Sequence, residues 1–287
     1  MLIKKEFEKL TNAVLKHVKT EGVNETLIPQ IRIFKSTCKN VLTHTIYDSS
    51  ILIILQGSKK VKIGNLTLVY DEKSYLISSL NLPMEGEILK ASNEKPFLSL
   101  LISFNLDDMY SILKKRYENY KNVDTCIKTF SVDEEMFEIT KRVVKLLEKE
   151  EFEANYIAPL LIKELIFKIS KNSSIFQFFT KNSNARKIQK TINFINDNLN
   201  EKININDLAQ SVSLSPASYF KYFKIMTNLT PIQYQKTKRL HLAHEMIKND
   251  EKTIGDIAFS LGYESQSQFS REYKRLFGNS AKFTLRN

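Results

Sequence analysis

The stretch "INDLAQSVSLSPASYFKYFK" at residues 205–224 is repeated in related form as "IGDIAFSLGYESQSQFSREYK" at residues 254–274. Each copy begins with an isoleucine that starts a short predicted helix, followed by a small residue where two helices would cross. A tight turn comes four residues later, at Ser213 and at Gly262. Such a turn needs a positive φ, which glycine adopts at lower cost than serine. The repeat predicts two helix-turn-helix units in one chain.

The second helix of each unit begins at a serine that can cap it, Ser215 before Pro216 in the first copy and Ser265 in the second. Aromatic residues of these helices are predicted to point inward and polar residues outward. The outward groups are amides, hydroxyls, lysines and an arginine, which contact base edges and phosphates of DNA. The predicted DNA-binding residues are Ala217, Ser218, Phe220, Lys221, Lys224, Gln266, Ser267, Gln268, Arg271 and Lys274.

Between the two copies, "TPIQYQKTKRLHLAHEMIKND" at residues 230–250 predicts one long connecting helix. About 18 residues would span roughly 27 Å, which is comparable with one DNA turn of roughly 34 Å. Two recognition helices held in this way could enter successive major grooves. His241 and His244 lie beside Lys238 and Arg239 on this helix, so they are expected at the surface or near phosphates and not as metal ligands.

The segment from about Ile188 to Phe283 resembles the DNA-binding domain of AraC/XylS-type transcription regulators, and "GYESQSQFSREYKRLFG" from Gly262 carries much of that resemblance. The sequence departs from the family pattern at Ser213, at Asn228 and at Ala281, where the family favours glycine, glycine and proline. In the family, the first turns of both second helices contact bases. By position, the resemblance assigns that role to Ala217, Phe220, Lys221, Gln266, Ser267, Gln268 and Arg271.

Charge is unevenly distributed along the sequence. Residues 183–287 contain 16 Lys and Arg against 9 Asp and Glu, a net charge of +7 out of +11 for the whole chain. A basic excess in this region favours phosphate contact and predicts an affinity for DNA that falls with salt. Because the chain is rich in Lys, Ile and Asn, part of the excess can also reflect genomic codon bias.

Residues 28–104 show a different sequence pattern, in which short apolar runs are separated by turn signals. This pattern predicts a small β-barrel or jelly roll. "SSILIILQG" at residues 49–57 predicts a strand buried on both faces, and Gly64-Asn65 predicts a hairpin. "LQGSKKVKIG", "YLISSLNLP" and "KASNEKPFLSL" make this stretch resemble the cupin-like sensor region of one branch of AraC-type regulators. The expected fold class is α+β, with a cupin-like barrel and flanking helices before an all-α domain.

Helices are predicted on both sides of the barrel. The first 22 residues read as an amphipathic helix and not as a signal peptide. Ser131 and Glu134 can form a capping box for a later helix, whose apolar stripe is Met136, Ile139, Val143 and Leu146. The stripe could equally pack within the chain or pair with a second subunit. The predicted domains are a sensor or oligomerisation domain at 1–176 and a DNA-binding domain at 177–287.

Four residues on or beside the predicted strands can offer hydroxyl or ring contacts to a small molecule in the barrel: Tyr47, Ser78, Ser79 and Phe104. Simple core or rim positions are the ordinary interpretation of the same residues. The hypothesis that they bind an effector therefore depends on the family resemblance more than on these positions.

The sequence gives little support for an enzymatic function. His44 is the one histidine of the barrel region, whereas a metal cupin needs several converging ligands. No GxSxG, P-loop or GxGxxG pattern is present. Cys38 and Cys126 form no CxxC motif, which fits a reducing cytoplasm. We expect no catalytic residue, no metal and no cofactor, and the absence of a long apolar run predicts no membrane span.

The sequence thus predicts a cytoplasmic, one-component transcriptional regulator of the activator type, whose barrel binds a small-molecule effector. The expected partners are promoter DNA and RNA polymerase, and a homodimer is compatible with the pattern. Two alternatives stay open. One is a constitutive DNA-binding activator whose barrel only mediates oligomerisation, and the other is a thiol enzyme fused to a DNA-binding domain, which would need an activated cysteine.

Overall fold

A computed structural model of the chain describes residues 2–40, 42–105, 113, 123–171, 175–177, 183–249 and 252–285. Strands occupy the N-terminal half of this described part. They are β1 (Gly22–Glu25), β2 (Ile31–Ser36), β3 (Leu42–Tyr47), β4 (Ser50–Gln56), β5 (Ser58–Ile63), β6 (Leu66–Asp71), β7 (Ser74–Ser78), β8 (Leu82–Lys90), β9 (Phe97–Ser103) and β10 (Ile127–Ser131).

Helices precede and follow the strands. They are α1 (Leu2–Leu15), α2 (Glu134–Leu146), α3 (Glu151–Lys171), α4 (Asn184–Asp197), α5 (Ile205–Ser211), α6 (Pro216–Thr227), α7 (Pro231–Asn249), α8 (Ile254–Ser260), α9 (Gln266–Phe277) and α10 (Ala281–Thr284). This order confirms the predicted α+β class, with strands first and a helical region last. Within the described residues, no helix is long and apolar enough to cross a membrane.

The strands form two antiparallel sheets that face each other. One sheet has the order β1-β2-β9-β4-β7-β10 and the other β3-β8-β5-β6. The described strands of one sheet do not pair with those of the other, so the expected barrel is an open jelly-roll sandwich. Such a sandwich buries the facing sides of both sheets without closing their edges.

The central strand and the hairpin follow their sequence signals. β4 pairs with both β9 and β7, and its first six residues are all buried, which confirms the prediction of a strand covered on both faces. β5 and β6 pair from Ser58 to Asp71 around Gly64, whose φ is 54°. A hairpin of this kind has positive φ in its turn, which glycine supplies at low cost.

The helix α2 packs inside the chain. Its stripe of Met136, Ile139, Val143 and Leu146 is at most 6% exposed, so the stripe is an intramolecular contact and not a free dimerisation seam. The cap of α2 is Asp133, whose carboxylate accepts a hydrogen bond from the backbone N–H of Met136 at 2.8 Å. The predicted capping box is wrong because Ser131 belongs to β10.

The apolar core does not divide at the predicted domain boundary. One buried cluster runs from Leu10 through both sheets and on to Tyr234 in α7, and it includes the aromatic residues of α6. A second, smaller cluster holds α8 and α9 against the rest of α7, from Leu240 to Ala281. The boundary at 176/177 stays a prediction, and across it the buried core is continuous.

Hydrogen bonds join the sheets to the first helix-turn-helix unit. The backbone N–H of Cys126 donates to the carbonyl of Met226 at 3.0 Å. The Tyr234 hydroxyl oxygen lies 2.9 Å from the carbonyl oxygen of Asn81 and 3.0 Å from Oδ1 of Asn196, so its one proton is shared between these acceptors. Together with the shared core, these bonds fix the end of α6 and the start of α7 on the sandwich.

A charged group is also buried at this interface. Lys238 of α7 is 6% exposed, and burial lowers the pKa of its ammonium to about 8, although the nearby Asp48 acts in the opposite direction. Asp48 lies in the turn between β3 and β4. Burial at the interface therefore makes the charged form of Lys238 less favourable than it would be in water.

The turn at Gly262 should not accept a side chain. Its φ is 79°, and a Cβ there would lie 2.0 Å from the carbonyl oxygen of Asn200. We expect Gly262→Val to lower the free energy of unfolding by about 2 kcal/mol or more, because left-handed strain and a backbone clash add. Urea unfolding of the purified variant measures this effect, and a wild-type midpoint would contradict it.

The matched change at the first turn is Ser213→Gly. Ser213 is exposed and has a φ of 52°. Glycine relieves the strain there but gains freedom in the unfolded chain, so we expect the free energy of unfolding to change by less than about 1 kcal/mol. The two turns should thus respond in clearly different ways.

Lys238 should make stability depend on pH. Its folded pKa of about 8 lies below its ordinary value of 10.5, so between these values the unfolded chain binds more protons. The contribution of Lys238 to the free energy of unfolding therefore rises from about pH 8 to 10.5. Lys238→Met should remove this rise, whereas Lys248→Met, an exposed position of the same helix, should retain it. Urea unfolding at pH 7.5 and 9.5 compares them, and equal pH dependence of all three proteins would contradict the assignment.

Candidate nucleic-acid interface and effector region

The first helix-turn-helix unit consists of α5 and α6. The side chain of Asn204 caps α5 and that of Ser215 caps α6, where Ser215 Oγ accepts from the N–H of Ser218 at 3.2 Å. Tyr219 and Phe223 are fully buried and orient α6 on the core. These contacts hold the N-terminal half of α6 at the surface.

The predicted contact residues of α6 lie on its exposed side. Ala217, Lys221 and Lys224 are exposed, and the ring of Phe220 is 42% exposed. Ser218 is half-buried, and its hydroxyl accepts a hydrogen bond from the Ser215 hydroxyl at 2.9 Å. The structure thus brings four of the five side chains to one accessible face, while Ser218 is engaged with the helix cap.

The second unit repeats the arrangement with α8 and α9. Thr253 caps α8 and Ser265 caps α9, and the two rings that fix α9 on its core, Phe269 and Tyr273, are fully buried. The predicted contact residues that are exposed on α9 are Gln266, Ser267, Arg271 and Lys274. Gln268 is half-buried and its Nε2 donates to Glu272 at 3.3 Å.

Glu272 is a structural carboxylate on the recognition helix α9. Burial alone would raise its pKa, but hydrogen bonds from Lys236 at 2.8 Å and from Gln268 outweigh that effect and lower the pKa. Tyr263 also donates to this carboxylate at 3.2 Å. An ionised Glu272 therefore ties α9 to α7 and to the turn before α9.

Arg239 of α7 connects the two units. Its guanidinium donates to the carbonyls of Leu199, of Glu201 at 2.8 Å and of Gly262 at 3.1 Å. The first two carbonyls precede α5, and the third belongs to the turn between α8 and α9. Because one rigid planar group is bonded to both units, their relative orientation is restrained.

Of the two histidines of α7, His241 is buried and His244 is half-buried, and both pack on aromatic rings, which corrects the expectation from the sequence. His241 is 3% exposed and its ring meets that of Phe277 edge-on. The ring of His244 stacks on Phe277 with a centroid distance of 4.5 Å, and its Nδ1 lies 2.6 Å from the Tyr273 hydroxyl. Both histidines pack α7 against α9, a role that tertiary contacts decide.

The four residues proposed from sequence for an effector do not come together. Ser78 and Ser79 are buried, and their hydroxyls donate to the carbonyls of Leu80 at 2.7 Å and of Ile175 at 2.8 Å. Phe104 lines a cleft of about 590 Å³ between the sandwich and α4. Tyr47 lies at the end of β3, with its hydroxyl directed to a buried lysine.

That lysine, Lys59, was missed by the sequence analysis. It is 5% exposed, and its Nζ donates to the Tyr47 hydroxyl at 2.8 Å. Strand alternation could have identified it, because Lys59 is in phase with Val61 and Ile63, which face inward, while Lys60 and Lys62 face outward.

The cleft at the interface is lined mostly by amides and hydroxyls. Gln30, Ser49, Asn81 and Ser103 come from the sheet region, and the α4 residues Gln189, Asn193 and Asn196 come from the helical region. Within the described residues, no group of three or more His, Cys, Asp or Glu side chains is placed to hold a metal ion. The side chain of His44 lies outside the described part.

Two family models match the sequence. The model for the N-terminus of AraC-type transcriptional regulators matches residues 27–174, and a helix-turn-helix domain model matches residues 208–287. In overall fold, the chain is similar to ToxT from Vibrio cholerae O395, crystallised with (E)-4-(8-methylnaphthalen-1-yl)but-3-enoic acid. The TM-score is 0.61 at 14% identity, with 89% of this chain and 97% of ToxT covered.

Curated relatives match shorter stretches of the chain. The probable transcriptional regulator LumQ of Photobacterium leiognathi is 35% identical over 88 residues, which cover 31% of this chain and 36% of LumQ. The regulatory protein SoxS of Salmonella typhimurium is 34% identical over 95 residues, which cover 33% of this chain and 89% of SoxS. Since the N-terminal family model covers more than half of the sequence and SoxS aligns over most of its own length, the chain belongs to the AraC-type transcriptional regulators.

Proposed function

We propose that this chain binds promoter DNA sequence-specifically, with α6 and α9 in successive major grooves, and that a small molecule bound in the N-terminal sandwich controls this binding. One observation carries the DNA part of the proposal. Two copies of the same helix pair present the polar side of their second helix to solvent while a single helix, α7, holds both. Major grooves admit a helix, and amide and guanidinium groups distinguish the bases there.

The residues divide by the contact that their chemistry allows. Gln266, Ser267, Gln268 and Arg271 supply hydrogen bonds to base edges, with Arg271 suited to guanine. Ala217 and Phe220 offer apolar contact to thymine methyl groups, and Ser218 lies at the helix cap beside them. The remaining cations, Lys221, Lys224 and Lys274, contact phosphates, which adds affinity without sequence preference.

Effector control is supported by the sandwich and by the fold comparison. ToxT structures contain an unsaturated fatty acid or the naphthalenyl butenoic acid, so a protein of this fold takes carboxylic acids. In this chain Lys59 and Tyr47 place polar groups inside an apolar sandwich. A bound effector changes DNA affinity by its difference in affinity for the DNA-competent and incompetent arrangements, about 1 to 3 kcal/mol in comparable systems.

The constitutive activator is the second candidate, and the close packing of sandwich and helical region favours it, because a continuous core leaves little freedom for switching. The thiol enzyme is disfavoured. Burial raises the pKa of the Cys126 thiol to about 12, so this thiol stays protonated at neutral pH. Exposed Cys38 and buried Cys126 have no role in our proposal.

Further partners follow from the proposed activity. A promoter-bound activator acts through RNA polymerase and works in the cytoplasm. A homodimer would use the exposed side of α3, where Phe152, Tyr156 and Leu160 are 84%, 70% and 52% exposed at four-residue spacing. Since the α2 stripe is buried, the exposed side of α3 is the more suitable surface for a second copy.

The DNA proposal is tested by fluorescence anisotropy with the fragment upstream of the chain's own gene and a scrambled fragment, at two salt concentrations. Arg271→Ala should relax base preference by about 1 to 3 kcal/mol at particular positions. Lys224→Ala should weaken binding to both fragments. It should also reduce the slope of log affinity against log salt concentration by about 1, because one phosphate contact is lost.

The control is Lys145→Ala, which removes an exposed lysine from α2. It should leave DNA affinity and the salt slope unchanged. If Arg271→Ala and Lys224→Ala had equal effects on specific and scrambled DNA, the assigned roles would be wrong. If wild-type protein failed to prefer any fragment in a genome-wide selection of bound DNA, the proposed function itself would be overturned.

The restraint that Arg239 places on the two units leads to a phasing prediction. Inserting five base pairs between the two half-sites moves them to opposite faces of the DNA, since one turn has about 10.5 base pairs. We expect affinity to fall to that of a single half-site with five added base pairs and to stay there with ten, because a helix of α7's length cannot span a second DNA turn of about 34 Å. Anisotropy titrations with the three DNA fragments measure this, and equal affinity for all would show that only one unit contacts DNA.

A further inference from the structure

A groove of about 1100 Å³ lies between α1, α2 and the last residues of β4. Ser49, directly before β4, lines the cleft beside α4, whereas Leu55 and Gln56 at the other end of β4 line the groove. Six residues of strand cover roughly 20 Å. The groove is therefore a cavity separate from that cleft, and its volume is sufficient for a small organic molecule.

Two aromatic rings contribute to the apolar part of the groove lining. The ring centroids of Phe7 in α1 and Phe137 in α2 are 4.6 Å apart, and Leu55 and Val132 add aliphatic surface. The Thr11 hydroxyl donates to the carbonyl of Leu55 at 3.2 Å, which fixes α1 on the end of β4. A preformed apolar lining of this kind favours a ligand with an apolar body.

The charged side chains of the lining are mainly acidic, although the whole chain has a net charge of +11. Six carboxylates and three ammonium groups line the groove, which gives the lining a net charge of −3. They are Glu6, Glu8, Glu72, Asp133, Glu134 and Glu138 against Lys73, Lys95 and Lys141. The groove therefore attracts cations on a protein whose overall charge repels them.

One ammonium group of the protein already shows how the groove accommodates a cation. The Nζ of Lys141 lies 5.3 Å from the ring centroid of Phe137 and 3.5 Å from Oε2 of Glu6, and it also pairs with Glu138. An aromatic face with carboxylates beside it stabilises a cation through the ring quadrupole and through direct charge attraction. The lining thus combines the two kinds of group that recognise an organic ammonium ion.

Three other carboxylates of the lining have no ion pair within the part of the chain that the structure describes. They are Glu8 of α1, Glu72 in the turn between β6 and β7, and Glu134 of α2. Glu8 and Glu134 are exposed, and Glu72 Oε1 accepts a hydrogen bond from the N–H of Gly57 at 2.7 Å. Negative charge on three separate elements is therefore available to a bound cation.

We propose that this groove binds an organic ammonium ion that carries an apolar chain. The chain packs on Phe7 and Phe137, and the ammonium group lies among the carboxylates of Glu8, Glu72 and Glu134. An inorganic cation would leave the apolar lining uncovered, and an organic anion would be repelled by the net negative charge. The groove is outside the effector region discussed above, so this proposal goes beyond effector control and does not depend on it.

Isothermal titration calorimetry of the full chain with alkyltrimethylammonium chlorides, from butyl to octyl, tests the proposal. The comparison ligands are the alcohol and the carboxylate of each chain length and tetramethylammonium, all at one ionic strength. We expect saturable binding of the octyl cation that is about 10-fold or more tighter than binding of each comparison ligand.

Two kinds of result would overturn the proposal. One is the absence of saturable binding by any of the alkyl cations. The other is a comparison ligand that binds as tightly as the octyl cation: octan-1-ol or octanoate would show that charge is not recognised, and tetramethylammonium would show that the apolar lining is not used.

A double variant tests the assigned carboxylates. Glu8→Gln with Glu134→Gln changes two exposed side chains of the lining, so the fold should be retained while affinity for the octyl cation falls about 5-fold or more. The matched control is Glu25→Gln with Glu150→Gln, which removes the same total charge at exposed positions outside the lining. This control should keep the wild-type affinity.

An equal loss of affinity in both double variants would indicate general charge attraction, and wild-type affinity in the lining variant would show that its carboxylates do not hold the cation. Either result would contradict the proposal. Urea unfolding of each protein checks the fold, and if the lining variant does not fold, the ligand comparison on the wild-type chain decides alone. No DNA is present in these titrations, so their failure would leave the proposed DNA binding unaffected.

Discussion

Helix α7 packs into two hydrophobic cores at once, and the placement of both recognition helices depends on this double packing. Tyr234 belongs to the cluster that continues into the sandwich, and Leu240 belongs to the cluster of the second helix-turn-helix unit. Between them, the guanidinium of Arg239 is bonded to backbone carbonyls of both units. A rotation of either unit about α7 would leave buried polar groups unpaired, which is more costly than losing an apolar contact.

The same helix makes the N-terminal region part of the DNA-binding architecture. Lys238 is buried near Asp48, and the Tyr234 hydroxyl bridges the sheet region and α4. The first unit is thus packed on the sandwich, while the second has a core of its own. A signal from the sandwich would therefore reach the first unit directly and the second through α7.

The regular features of the fold could be predicted because they depend on local rules. Gly64 and the serine caps act within a few residues of the chain, and the alternation in β5 and β6 follows from strand geometry. Ser213 and Asn228, which replace glycine in the family pattern, adopt positive φ of 52° and 59°, so the turns persist without glycine. By contrast, the expected barrel is an open sandwich, since closure depends on pairing between distant strand edges.

By itself, the sequence determined the repeated helix-turn-helix units, the exposed polar side of α6 and α9, and the order of strands before helices, since periodicity and capping are local properties. Only the tertiary structure decided that His241 and His244 pack on Phe277, that the α2 stripe is internal, and that Lys59 faces Tyr47 and lies opposite Tyr70. The physical reason is that strand alternation and helical periodicity give the direction in which a side chain points, whereas its contact partners depend on which distant segments cover it.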